Sequence, residues 1–155
     1  MPAVPPLSQP EPASLALSQP EPPTPVLTIA AVCFRDTDGR ILTVRKRGTS
    51  KFMLVGGKLE PGETPDVAAV REVAEEVGLV LDVDDLELLG TFDADAANEA
   101  DTRLDSTVYL APLPDGAAPV AAAEIAELAW VDPAGAAGRE DLAPLLRDHV
   151  VPLLG

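Results

Sequence analysis

The chain has 155 residues, 26 of them acidic and 11 basic, which is the length of one domain with an appendage and a formal net charge of −15. That balance argues against nonspecific nucleic-acid binding and against an anionic membrane surface, both of which need clustered Lys and Arg. Cys33 is the only cysteine, so an internal disulfide and a cysteine-based zinc site are excluded and a core role is expected for it.

Residues 1–25 are rich in Pro, Ser, Gln and Ala and carry the hexapeptide LSQPEP twice, at Leu7–Pro12 and Leu17–Pro22. Repeated proline removes backbone donors and favours extended chain, which predicts a flexible tail ahead of a domain spanning 26–155. A docking peptide is the alternative for the PxxP spacing of Pro22–Pro25, although no Arg or Lys flanks it. The start of the chain has no basic region followed by an apolar run. The longest apolar stretch, near Val26–Phe34, is far too short to cross a bilayer. A cytoplasmic location is therefore expected.

Val26–Arg35 has the pattern of a strand, Asp36–Gly39 of a turn, and Ile41–Arg47 of an antiparallel partner, so a hairpin is predicted. Arg45 and Arg47 share one face of that strand and can both reach a polyphosphate, with Lys46 turned away. A short strand at Phe52–Val55 leads into a loop built on Gly56, Gly57 and Gly62, where the backbone can approach a ligand or metal closely.

Thr64 is suited to cap a helix, Pro65 to its first turn, Asp66 to its positive end, and Gly78 to its termination. Within it, Val67, Val70, Val73, Ala74 and Val77 recur at offsets of three and four, giving an apolar stripe. Glu72, Glu75 and Glu76 fall together on another face. Like charges at such spacings cost roughly 0.2–0.5 kcal/mol per pair, and no lysine follows at the four-residue offset. Hard divalent cations would relieve that repulsion. Eight of the eleven basic residues lie between Arg35 and Arg71, a bias suited to phosphate, with Lys58 the best placed.

Beyond the helix, Leu86–Ala94 and Leu104–Ala111 are predicted strands around an acidic loop containing Asp95, Asn98, Glu99 and Asp101. Glu127–Val131 is a further strand, and Glu140–Leu154 a final helix whose ends are blurred by Pro144 and Pro152. His149 on it is expected to be solvated or capping. Aromatics are only 3% of the chain, and Phe52, Phe92, Tyr109 and Trp130 are core residues first and stacking candidates second. Strands mixed with two helices indicate an α+β layered domain.

The segment GKLEPGETPDVAAVREVAEEVGL resembles the signature of the Nudix hydrolases, MutT-like proteins among them. Gly57, Glu63, Arg71, Glu72, Val73, Glu75, Glu76, Gly78 and Leu79 match it without a gap. The resemblance implies a mixed sheet between helices, an α/β/α sandwich. It further implies that Mg²⁺, or Mn²⁺ in its place, is held by Glu72, Glu75, Glu76 and the Gly56 carbonyl. Glu124 or its neighbour Glu127 would add a ligand ahead of the next strand. Glu72 would be the base or water-orienting carboxylate, with Glu99 the alternative. Glu63 and Arg71 would tie loop to helix, and Gly57 and Gly78 would be structural; Val55 stands where many relatives have proline.

The activity so implied is hydrolysis of the pyrophosphate linkage of a nucleoside diphosphate derivative. A (deoxy)nucleoside triphosphate giving monophosphate and pyrophosphate is the leading substrate, and ADP-ribose or a nucleotide sugar the alternative. A nucleotide-sensing domain without turnover is a reading of another class, which the retained carboxylates disfavour. Because many members pair, a homodimer is an open expectation.

Overall fold

The computed structural model describes residues 25–154. The proline-rich segment and its repeats lie outside the described residues, apart from Pro25. Among the described residues six strands, β1 (Val26–Phe34), β2 (Ile41–Lys46), β3 (Val55–Lys58), β4 (Glu87–Asp95), β5 (Arg103–Ala111) and β6 (Ile125–Val131), accompany one long helix, α1 (Pro65–Val77). A mixed sheet runs β3-β1-β5-β4, and a second sheet pairs β2 with β6. In the mixed sheet β1 is parallel to β5 and antiparallel to β3, and β4 is antiparallel to β5.

Alternation along β1 divides the interior. Ala30, Val32 and Phe34 pack with Ala68, Ala69, Val73 and Val77 of α1. Ala31 and Cys33, on the opposite face, pack with Leu145, Leu146 and Val150 of the C-terminal helical segment. This is period-two side-chain placement in a sheet covered on both faces. Cys33 is buried as expected, and the desolvation of its thiol pushes the pKa up to about 11. No helix among the described residues is long and apolar enough to cross a membrane.

Five local expectations are corrected. The predicted β1–β2 hairpin is reduced to one bridge, Arg35 with Ile41, because both hydrogen-bonding edges of β1 are taken by β3 and β5 while β2 pairs with β6. The strand predicted at Phe52–Val55 begins only at Val55 and runs on through Gly56 and Gly57 to Lys58, so both glycines are strand residues. Phe52 and Met53 instead bridge to Leu142 and Val44.

On α1, Val67 is 48% exposed and Ala74 is also exposed, while Ala68, Ala69, Val73, Glu76 and Val77 are buried. The small alanines let the helix settle close to the sheet and turn Glu76 inward. Thr64 adopts extended backbone ahead of the helix, but its hydroxyl donates to Asp66 and makes no cap. Gly78 does end the helix, at φ 72. The final helix shortens to a π-helical turn, Leu145–Val150, followed by a 3₁₀ turn, Val151–Leu153, since Pro144 and Pro152 lack the amide a longer helix needs.

Candidate active site

Close backbone approach puts β3 and α1 in register for chemistry. A Cβ on Gly56 would lie 2.2 Å from the Ala30 carbonyl oxygen and 2.6 Å from the Ala31 Cα, so no side chain fits between β3 and β1 there. A Cβ on Gly57 would lie 2.6 Å from the Glu72 carboxyl carbon, so this glycine makes room for that carboxylate. The Gly56 amide donates to Glu76 Oε1 at 3.2 Å.

Glu76 is 2% exposed, and its second oxygen, Oε2, has no hydrogen-bond partner among the described residues. Burial of the carboxyl pushes its pKa up to about 8, opposed by the Gly56 amide and by Lys46, and reinforced by Glu72 and Glu124. The Glu72 pKa is also raised, chiefly by desolvation, against the pull of Arg71. A buried, unpartnered carboxylate oxygen with more acids in its field is a site that a cation would satisfy.

Arg71 organises the outer part of the site. Its Nε and Nη2 form a fork on Glu63 at 2.7 and 2.8 Å, and Nη2 also donates to the Lys58 carbonyl at 3.0 Å. Nη1 reaches Glu72 at 3.0 Å and Glu75 at 3.4 Å. The guanidinium beside Glu63 holds that carboxyl down at a pKa of about 2. This is charge-assisted bidentate geometry, and it ties the loop before α1 to the helix.

The three signature glutamates therefore do not form the convergent trio expected. Glu75 is about half exposed and leans on Arg71, four residues earlier, whereas Glu76 turns under β3. Among the described residues no group of three or more His, Cys, Asp and Glu side chains stands ready to hold a metal. The repulsion is relieved from the N-terminal side, by Arg71 and not by a following lysine. What remains assembled is Glu76 and Glu72 at the glycines of β3, with Glu124 contributing to the field at Glu76.

The basic residues also need correction. Arg45 donates to Glu127 at 3.2 Å and to the Thr49 carbonyl at 2.8 Å, and Arg47 donates to the Ala123 carbonyl. Arg47 falls one residue past the end of β2, and the partners of both arginines are not the carboxylates of α1. Leu42 and Val44 pack into the α1 side of the core, so Lys46, next in that alternating series, points the same way. Lys46 Nζ lies 3.6 Å from Glu124 Oε2 and lowers the pKa of both Glu72 and Glu76. The signal was in the sequence: Leu42-x-Val44-x-Lys46 is the apolar row extended by one cation.

Beside these groups lies a cavity of about 200 Å³. Its apolar part includes Leu27, Ile29, Leu104 and Leu145; its rim carries Lys46, Gly56, Gly57 and Lys58, and the β4–β5 loop adds Asn98 and Glu99. An apolar recess with a few polar groups suits a planar, partly polar ring, and Gly56 and Gly57 stand between recess and carboxylates. His149 lies outside this arrangement, its ring 5.9 Å from that of Phe92.

A family model described as NUDIX domain matches residues 24–153. A MutT-like protein of Streptomyces ambofaciens is 38% identical over 80 residues, covering 52% of this chain and 47% of that protein, so the match spans about half of the relative. The 8-oxo-dGTP diphosphatase of Escherichia coli is 40% identical over 57 residues, 34% of this chain and 44% of that enzyme. Among solved structures, the MutT protein of Methanosarcina mazei Go1 superposes with a TM-score of 0.66 at 23% identity, covering 79% of this chain and 88% of that one, a likeness of fold.

Proposed function

This chain belongs to the NUDIX family, and from that premise we propose that it is a divalent-metal-dependent pyrophosphohydrolase acting on a nucleotide. The observation that carries the reading is the Glu76 carboxylate, buried beneath β3 with one oxygen on the Gly56 amide and the other unpartnered. Glu76, Glu72 and Glu124, with the Gly56 carbonyl, are the residues that would hold Mg²⁺ or Mn²⁺, and Glu75 would join only by leaving Arg71. When bound, the cation supplies neutralisation of phosphate oxygens and a lowered pKa for its water.

The chain's own groups account for the rest. Lys46 and Lys58, on the rim between cavity and carboxylates, bind and orient the polyphosphate. The apolar recess of Leu27, Ile29 and Leu104 takes the nucleoside and excludes water from it. Glu72, held at 3.0 Å from Arg71 and partly desolvated, is the carboxylate that orients the attacking water and accepts its proton. Glu99, on the cavity rim, is the alternative base.

Among substrates, a (deoxy)nucleoside triphosphate yielding monophosphate and pyrophosphate is favoured, and the similarity to the Escherichia coli 8-oxo-dGTP diphosphatase supports it. The test is a panel of nucleoside triphosphates, including oxidised ones, with ADP-ribose and nucleotide sugars, incubated with and without Mg²⁺ and resolved by product. Metal-dependent monophosphate release supports the reading. Nucleotide binding without turnover would replace it with a sensing domain.

A further inference from the structure

Glu124 sits in a turn that is held more firmly than a surface turn requires. Ala123 has φ 53, the left-handed region where a Cβ is strained. Such a conformation persists only where its surroundings over-determine it. Here the Ala122 amide donates to the Glu76 carbonyl at 2.9 Å, and the Ile125 amide closes the turn on the Ala122 carbonyl at 3.0 Å. Arg47 supplies two more restraints, its backbone amide donating to the Glu124 carbonyl at 2.8 Å and its guanidinium to the Ala123 carbonyl.

The turn is thus pinned on one side to the helix residue that carries the buried carboxylate, and on the other to β2. Glu124 leaves it toward Lys46 and into the field of Glu76. The side chain of Glu124 is 62% exposed, so packing does not aim it. Its direction comes from the backbone of the turn and from the ion pair with Lys46.

We propose that Arg47 is a positioning residue: its guanidinium clamps the strained Ala122–Ile125 turn so that Glu124 is presented to the cation site, and it does not contact substrate phosphate. The proposal rests on the reading that Glu124 belongs to the cation-holding set. Electrostatics and positioning predict opposite signs here, which makes the assignment decidable. Removing a positive charge near an acidic site should by Coulomb's law tighten cation binding. Losing the clamp should weaken it.

The experiment is titration of the full chain with Mn²⁺ alone, followed by electron paramagnetic resonance, for the wild type, Glu124→Gln, Arg47→Met and Arg47→Lys, with nucleotide kinetics in parallel. Outer partners of metal ligands are commonly worth about 10–100-fold in affinity, so Arg47→Met should weaken Mn²⁺ binding by roughly tenfold or more, and Glu124→Gln, which removes a holding group itself, by at least as much. Arg47→Lys, which keeps a donor for the Ala123 carbonyl, should recover most of it. In turnover, Arg47→Met should lower kcat and leave KM nearly unchanged. Unchanged or tighter Mn²⁺ binding by Arg47→Met, with Glu124→Gln weakened, overturns the positioning role alone. Unchanged binding by Glu124→Gln overturns the underlying assignment of Glu124.

Discussion

Gly56 and Glu76 stand 20 positions apart in sequence, yet the Gly56 amide donates to Glu76 Oε1 at 3.2 Å inside the interface between β3 and α1. That bond fixes a buried carboxylate against a backbone into which no side chain fits, and leaves its other oxygen unpartnered. A cation at that oxygen would complete the interface.

Glu76→Gln should therefore separate stability from activity. The amide keeps an acceptor for Gly56 and ends the proton uptake that burying the carboxyl demands, so near neutral pH the melting temperature in chelator should rise. Metal-dependent turnover should fall by about a hundredfold or more. Thermal melts with and without Mg²⁺, beside steady-state kinetics, check both; a lower melting temperature in chelator would show that the buried carboxyl is already compensated.

The pH dependence of the metal-free chain has two limbs. With its folded pKa raised from 4.5 to about 8, Glu76 holds a proton in the native state that the unfolded chain releases, so stability falls as pH rises across that interval. Glu63 acts in the opposite sense. Its pKa is lowered from 4.5 to about 2 by Arg71, so its contribution is present above pH 4.5 and is lost as pH falls toward 2. Urea denaturation across pH in chelator should show greatest stability near the junction of the limbs. Glu76→Gln should flatten the alkaline limb and spare the acid one.

The adjacent glycines should fail differently. Gly56→Ala forces a methyl into the β1 backbone and should destabilise by about 1–3 kcal/mol in urea, the usual cost of overpacking. Gly57→Ala pushes instead on the Glu72 carboxylate, which can move. Its stability should change by less than about 1 kcal/mol while kcat falls about tenfold or more. Equal losses of stability would mean that Glu72 is as rigidly held as the backbone.

Lys46 and Arg45 offer a contrast on neighbouring positions. Lys46→Met removes the cation on the cavity rim and should raise the KM for nucleotide about tenfold or more, the scale of a charged hydrogen bond. Arg45→Met breaks only the contacts to Glu127 and Thr49 and should leave KM within about twofold. The reverse order would restore Arg45 to the phosphate site.

What the sequence revealed was local. The helix from Pro65 to Gly78, its acidic residues and the fork of Arg71 on Glu63 depend on neighbours within about a dozen positions, and spacing rules reach that far. Whether β1 pairs with β2, or β3 passes through the glycines, depends on which distant strand claims each edge, and no local pattern carries that. The same limit explains the arginines. Alternation placed Arg45 and Arg47 on one face, but only the packing of Leu42 and Val44 against the α1 side decides that Lys46 faces the carboxylates. The inward turn of Glu76 was hidden because Ala68 and Ala69 weigh less than Val67 in an apolar count, although their small size is what brings the helix close.

The central claim, that these carboxylates support metal-dependent cleavage of a phosphoanhydride, is tested most directly by phosphorus NMR of a nucleoside triphosphate incubated with the full chain and Mg²⁺ in heavy-oxygen water. Monophosphate and pyrophosphate appearing together, only with the cation and nearly abolished in Glu76→Gln, is the predicted result. Triphosphate left intact, or cleaved equally by Glu76→Gln, would contradict it.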